Sequence, residues 1–338
     1  MTLPTEQRRI SSLPGEFELI ARYFAPLAEK SSGAMGLLDD AARYAPRPGS
    51  ECVLTADMIV EGVHFRPVDR PADIGFKALA VNVSDLVAKG ARPEAYLLSL
   101  ALSGDTDEKW VAGLAKGLRE GQEAFGCLLF GGDTARTPGP TTISVTALGR
   151  VKKGKMLLRS GARPGDKVYV TGTIGDGAAG LLLGDSRDGA RLPRSSRSFL
   201  ASRYLRPRPR MELLSALAAN ASGAMDISDG LVGDFRKMCS ASRTGGVIRL
   251  SGVPLSPAVR TALAQGFITL DQLVTGGDDY EVLAAIPARR AAKFEAAAAV
   301  AGVDVACIGD ILRAAEGVSI LGADGSPVTL ASGSYTHF

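Results

Sequence analysis

The chain has 338 residues, which at about 150 residues per domain predicts two domains, and its 46% apolar and 22% charged residues exclude a disordered, collagen-like or coiled-coil protein. Thirty-nine Lys and Arg against 36 Asp and Glu leave a net charge of only +3, without the basic footprint of a dedicated nucleic-acid binder. Two histidines and four widely spaced cysteines, with no C-x-x-C, argue against a Cys/His zinc site or a disulfide framework.

In chain order, residues 1–14 are polar, and Phe17, Leu19, Ile20, Tyr23, Phe24 and Leu27 then recur at helical spacing over 16–27. A strand is predicted at 52–58. A helix follows at 73–89, stopped by Gly90, and then a strand at 96–102. The segment 107–125 reads as an amphipathic helix with Asp or Thr at its cap, and 127–130 and 142–150 read as strands. A basic, glycine-bearing stretch at 152–165 marks the domain boundary, giving domains 1–150 and 151–338. The second half repeats the grammar: a strand at 167–171, helices to about 220, and a short strand at 224–227. Then come a helix at 230–240, strands at 247–250 and 280–286, an alanine-rich helix at 288–300 and strands beyond 303. Alternating strands and helices in two halves predict two α/β or α+β domains. No segment has the about 18 apolar residues of a membrane span, and the N-terminus has no apolar run of signal type. A cytoplasmic location with no membrane partner is expected.

Two near-matches to nucleotide motifs fail on context. Gly149 to Lys155 starts like a P-loop, but Met156 stands where Ser or Thr must bind magnesium and no helix follows. Gly175-Asp-Gly177-Ala-Ala-Gly180 fits G-x-G-x-x-G between a strand and a helix. It lacks the later strand ending in an acid that a dinucleotide site needs, so a close-packed turn is the better reading. The run Arg206-Pro-Arg208-Pro-Arg210 reads as a stiff, solvated loop.

The acids are more informative. Several sit in predicted Gly- or Ser-bearing turns at strand or helix ends: Asp39-Asp40, Asp57, Asp85, Asp133, Asp226 with Asp229, and Asp278-Asp279. One such acidic turn is usually a helix cap or an Asx turn. Six of them suggest hard-cation chemistry. Mg²⁺ takes oxygen ligands and bridges carboxylates to phosphates, and neighbouring glycines let backbone N–H groups approach phosphate oxygens. His64 alone reads as a packed or capping residue, and Arg159 as a surface arginine or a phosphate partner.

These stretches resemble the thiamine-monophosphate kinase family of the aminoimidazole-ribonucleotide-synthetase-like superfamily. The similar segments are GEFELIARYF (15–24), LLDDAA (37–42), TADMIVEGVHF (55–65), DIGFKALAVNVSDLVAKGA (73–91), FGGDTAR (130–136) and LLRSGARPGD (157–166). They continue with VTGTIGDGAAGL (170–181), LRPRPR (205–210), MDISDGL (225–231), TGGDDYE (275–281) and the terminal SYTHF, in the family's order. The resemblance implies a two-domain fold of mixed sheets flanked by helices. Residues 1–150 would form an ATP- and metal-binding, dimerising domain, and 151–338 an α/β domain completing the active site. It implies transfer of the γ-phosphate of ATP to thiamine monophosphate, several Mg²⁺ ions and a homodimer. Carried over residue by residue, it implies metal ligation by Asp40, Thr55, Asp57, Asp85, Asp133, Asp226 and Asp229. It implies ATP contacts from Gly132, Asp133, Arg159 and Ser228, and thiamine monophosphate contacts from His64, Asp278 and Tyr335. The sequence departs from the family pattern at Leu38 (usually Gly), at Ala56 (usually a hydroxyl residue), at Ala135 in GGDTAR, at Asp278 (usually Glu) and in the register of the C-terminal aromatic.

The chemistry suits a chain poor in histidine, because a phosphate nucleophile is already anionic at pH 7 and needs no strong general base. No catalytic base is therefore expected, and transfer is expected to be direct and in line. Two further readings stand beside the kinase. One is an ATP-dependent ring-closing synthetase or maturation dehydratase of the same superfamily, against which EGVHF and the aromatic C-terminus argue. The other is a non-catalytic nucleotide or metal sensor, against which the retained carboxylates argue.

Overall fold

The structure is a computed structural model, and it describes residues 13–184 and 186–330. Tyr335 and the terminal SYTHF segment lie outside the described residues. Two sheets organise the chain. The first has four strands in the order β1-β4-β2-β3: β1 Ser50–Val60, β2 Arg92–Leu102, β3 Leu128–Arg136 and β4 Thr142–Lys152. The second has six, in the order β10-β7-β9-β5-β8-β6: β5 Asp166–Thr171, β6 Gly223–Ile227, β7 Gly245–Arg249, β8 Glu281–Pro287, β9 Val305–Leu312 and β10 Val318–Leu321.

The helices that matter for the site are α1 Pro71–Ala88, α2 Glu108–Phe125, α3 Asp176–Leu183, α4 Arg194–Leu205 and α5 Leu231–Ser242. Between β2 and its parallel neighbour β3 runs α2. Its ends are set by side-chain and backbone chemistry. Asp107 accepts the Trp110 N–H at 2.8 Å at the N-cap, and Gly126, at φ 70°, closes the C-terminus in the left-handed conformation. The apolar face of α2, including Val111, Leu114, Leu118 and Phe125, is buried.

Within the second sheet all pairings are antiparallel except β10 with β7. Its core is built from alternating strand residues such as Val168, Val170, Met225, Ile227 and Leu283, with Phe235 and Met238 of α5. By compactness the chain groups into two units, neither continuous in sequence. One comprises Met1–Ala45, Ala56–Leu79 and Ala95–Thr146; the other comprises Pro46–Thr55, Ala80–Glu94 and Ala147–Phe338. Among the described residues no helix is long and apolar enough to cross a membrane.

Candidate active site

In the first unit, Asp40 and the Gly132–Asp133 pair line one cleft of about 620 Å³, together with Asp39, Ser99 and Thr134. Two local devices shape it. Met35, Gly36 and Leu37 all have positive φ (50°, 68° and 57°), a sharp left-handed passage that ends where the Asp39-Asp40 pair begins. On the other wall, β3 pairs with β2 so that Asp133 lies opposite Ser99 and Gly132 opposite Leu98. A Cβ on Gly132 would stand 1.8 Å from the Leu98 carbonyl oxygen, so only glycine permits this approach. The Asp133 carboxylate is exposed and accepts the Thr134 N–H at 2.9 Å.

Asp57 is exposed on β1 in the same unit. His64 behaves as a capping residue: its Nδ1 accepts the Val60 N–H at 3.1 Å, which places the proton of the neutral ring on Nε2. Its carbonyl accepts from Lys77 Nζ at 3.1 Å, and this lysine side chain is buried.

The second unit gathers the remaining candidates around three interlocked segments. Thr55 Oγ1 donates to Asp85 Oδ2 at 2.5 Å, joining the middle of β1 to the last turn of α1. One residue earlier, Ser84 donates to the buried Asp226 of β6 at 3.0 Å. Lys89 donates to the Ala224 carbonyl at 2.9 Å. Burial pushes the Lys89 ammonium below its ordinary value, against the pull of Asp226, while the Arg159 charge pushes it the same way as burial and Asp85 opposes it. Arg159 itself is exposed on a short turn at Arg159–Gly161.

The DISDG and TGGDDYE segments fasten to each other. Asp278 N–H donates to the Ser228 carbonyl at 2.9 Å, and Tyr280 N–H to the Ile227 carbonyl at 2.8 Å. Gly277, at φ 75°, allows this: a Cβ there would lie 2.3 Å from the Ser228 oxygen. The buried Asp234 carboxylate accepts the Ser228 and Asp229 N–H groups at 3.1 and 3.0 Å, and its burial raises its pKa. Lys237 bonds Asp229 and, at 3.0 Å, Asp234.

Several sequence expectations need correction. Asp57, Asp85, Asp133 and Asp226 do not sit in turns; they lie within β1, α1, β3 and β6. The glycines beside Asp133 extend the ladder because Gly132 fits against a neighbouring carbonyl, where a turn was expected. The Arg206–Arg210 run is not a solvated loop. Pro207 and Pro209 are buried, and Arg210 is drawn inward by the fully buried Glu281, to which it donates from Nε at 2.6 Å.

The G-D-G-A-A-G segment is the close-packed turn that its context predicted. Gly175 has φ 83°, a Cβ on Gly177 would lie 2.0 Å from the Asp278 oxygen, and one on Gly180 would lie 2.3 Å from the Leu200 oxygen. Lys89, Ser84, Lys237 and Tyr280 were not anticipated as part of these surroundings. Their only signal was proximity in sequence to a candidate acid, which is too common to be read.

Every candidate ligand presents oxygen, the donor set of a hard cation. The Thr55 hydroxyl, having donated to Asp85, keeps its lone pairs. Among the described residues, no three His, Cys, Asp or Glu side chains stand grouped as a ready-made metal nest.

The chain matches the AIR synthase related protein, N-terminal domain, over residues 38–151 and its C-terminal domain over residues 163–321. The fold is accordingly two such domains, with mixed sheets flanked by helices. Thiamine-monophosphate kinase of Caulobacter vibrioides is 40% identical over 313 residues, covering 90% of this chain and 86% of the relative. The crystal structure of thiamine-monophosphate kinase from Stenotrophomonas maltophilia K279a superposes with a TM-score of 0.81 at 35% identity, covering 93% of this chain and 98% of the other. AaThiL complexed with AMPPCP and TMP superposes with a TM-score of 0.75 at 32% identity, covering 96% and 97%. An oxygen-donor cleft beside a strand-borne Gly-Asp pair, a second set of acids held on α1 and β6, and likeness along almost the whole length lead to one assignment: the chain belongs to the thiamine-monophosphate kinase family of AIR synthase related proteins.

Proposed function

We propose that this protein is an ATP-dependent kinase that phosphorylates thiamine monophosphate, giving thiamine diphosphate and ADP. The observation that carries the reading is the first-unit cleft, lined by exposed Asp40 and Asp133 together with Gly132, whose missing side chain lets β3 approach the backbone of β2. Such a surface is suited to a polyphosphate and its cations. Supporting it is the whole-length likeness to a relative complexed with AMPPCP, an ATP analogue, and TMP.

Two polyanions must meet in this reaction. Unit charges 4 Å apart repel by about 4 kcal/mol at an effective dielectric of about 20. Mg²⁺ ions, when bound, would supply the positive charge that offsets this repulsion. Asp40, Thr55, Asp57, Asp85, Asp133, Asp226 and Asp229 are the residues that would hold them, several ions being needed for seven ligands. Lys237 competes for Asp229 and supplies the charge that balances it when no cation is bound.

Gly132, Asp133, Arg159 and Ser228 serve ATP; His64, Asp278 and Tyr335 serve thiamine monophosphate. The acceptor phosphate is already anionic, so no side chain need remove a proton and no phosphoenzyme forms. Residues 1–150 act as the nucleotide, metal and dimerisation domain and 151–338 as its complement. The enzyme works as a cytoplasmic homodimer without nucleic-acid or membrane partners. Leu54 and Met58, 63% and 53% exposed on β1, are the kind of apolar surface a second copy covers.

The deciding assay is ADP release with thiamine monophosphate, with thiamine, and with no acceptor. Turnover only with the monophosphate is expected, and ADP release independent of any thiamine compound overturns the reading. Radiolabel from γ-labelled ATP remaining on the protein after one turnover overturns direct transfer.

A further inference from the structure

The segment Asp278–Asp279–Tyr280 has an unusual backbone. Asp278 and Tyr280 are both non-glycine residues in the left-handed region, at φ 63° and 52°. Such conformations persist only where surroundings over-determine them. Here the surroundings are explicit. Between the two lies Asp279, 1% exposed, whose carboxylate accepts the Gly175 N–H at 2.9 Å and the Gly177 N–H at 3.3 Å. Its carbonyl accepts from Arg203 at 3.3 Å. The flanking N–H groups are bound by Ser228 and Ile227 carbonyls. The backbone is thus pinned at three consecutive residues.

On this pinned backbone the two flanking side chains meet. Tyr280 Oη donates to Asp278 Oδ1 at 3.0 Å, across two residues. The Tyr280 ring is 9% exposed, so burial alone would be met equally by phenylalanine; the hydroxyl is the part that phenylalanine lacks. A donor fixed on one carboxylate oxygen sets the carboxylate's rotation and leaves its other oxygen with a defined direction.

We propose that Tyr280 is a positioning residue for the kinase reaction: its hydroxyl holds the Asp278 carboxylate in the orientation in which it meets thiamine monophosphate. This rests on the reading of Asp278 as a contact to that substrate. The aspartate at 278 is a short side chain with few rotamers, and a single external hydrogen bond is enough to fix it.

The test is a double-mutant cycle in steady-state kinetics on full-length Asp278→Asn, Tyr280→Phe and the double variant, each with its melting temperature. Tyr280→Phe is expected to raise KM for thiamine monophosphate about tenfold, the loss of one hydrogen bond to a charged group. Its kcat, its KM for ATP and its melting temperature should stay near wild type. The double variant should be no worse than Asp278→Asn alone, because a positioning hydroxyl works through the carboxylate it holds. An unchanged KM in Tyr280→Phe beside a raised KM in Asp278→Asn overturns the positioning role. So do effects that multiply in the double variant, or a Tyr280→Phe defect that falls on kcat and melting temperature alike. An unchanged KM in Asp278→Asn overturns the substrate contact itself, and the proposal with it.

Discussion

Arg203 and Glu281 form an ion pair of 2.7 Å in which the side chains are 4% and 0% exposed. Arg210 and Thr171 also donate to Glu281, the latter at 2.5 Å. Removing Arg203 leaves the buried Glu281 to Arg210 and Thr171 alone and takes the cation from beside Asp176, 3.8 Å away. Arg203→Met is therefore expected to lower unfolding free energy by about 2–3 kcal/mol, less than the loss of a pair with no second partner. Chemical denaturation at constant m-value measures it, and a loss below about 1 kcal/mol, the level of a surface pair, contradicts the argument.

Gly132 and Gly131 make a matched comparison on one strand. A Cβ on Gly132 meets the Leu98 carbonyl at 1.8 Å, whereas on Gly131 it meets only the tip of Leu97 at 3.5 Å. Gly132→Ala is expected to cost about 1–3 kcal/mol, because backbone must shift, and to raise KM for ATP. Gly131→Ala is expected to stay within about 0.5 kcal/mol of wild type. Equal melting temperatures for the two variants would refute the steric account.

Asp133→Asn and Asp226→Asn remove charge but little volume. If these carboxylates hold Mg²⁺, kcat falls by orders of magnitude in each, and the Mg²⁺ concentration giving half-maximal rate rises. Far-UV circular dichroism should be unchanged. Rates and Mg²⁺ dependence like those of the wild type would remove both residues from the ligand set.

Burial raises the Asp279 carboxyl well above its ordinary range, against the Gly175 and Gly177 N–H groups that favour the anion. The folded chain therefore holds this proton more tightly than the unfolded chain. Its contribution to stability is fully present below the unfolded value near 3.9 and is lost as pH rises through the folded value. Asp279→Asn keeps an acceptor for Gly175 and removes the titration. Relative to wild type, the variant should gain stability as pH rises from about 4 toward neutrality. Urea midpoints across that range, wild type and variant in parallel, check the sign; curves that run parallel would refute it.

Much of the architecture could be read in advance because it rests on local signals. The α2 boundaries were set by Asp107 and Gly126, and the strands by their apolar runs. Candidate acids could be named from their neighbours and from the family resemblance. What could not be read is what joins distant segments. Nothing in LRPRPR announces that Arg210 turns inward, because its partner lies 71 residues later and a buried glutamate looks like any other in a sequence. Tyr280 reads as a strand residue, and nothing in its type announces the positive φ it adopts or its bond to Asp278. Lys89 shows only as one cation at a helix end, although Asp226, whose charge acts on it, lies far along the chain.

The Asp279 carboxylate that caps the Gly175–Gly177 turn follows it by 104 residues, and Glu281 follows its donor Thr171 by 110. During synthesis, Arg203 and the first turn of α3 leave the ribosome long before either acid is made. They wait in water, where exposed charge and N–H groups are satisfied. The second unit thus cannot close gradually as it emerges; its interior becomes electrically complete only once residue 281 is available. A chain truncated just before Thr275 would carry most of the secondary structure and none of the lock.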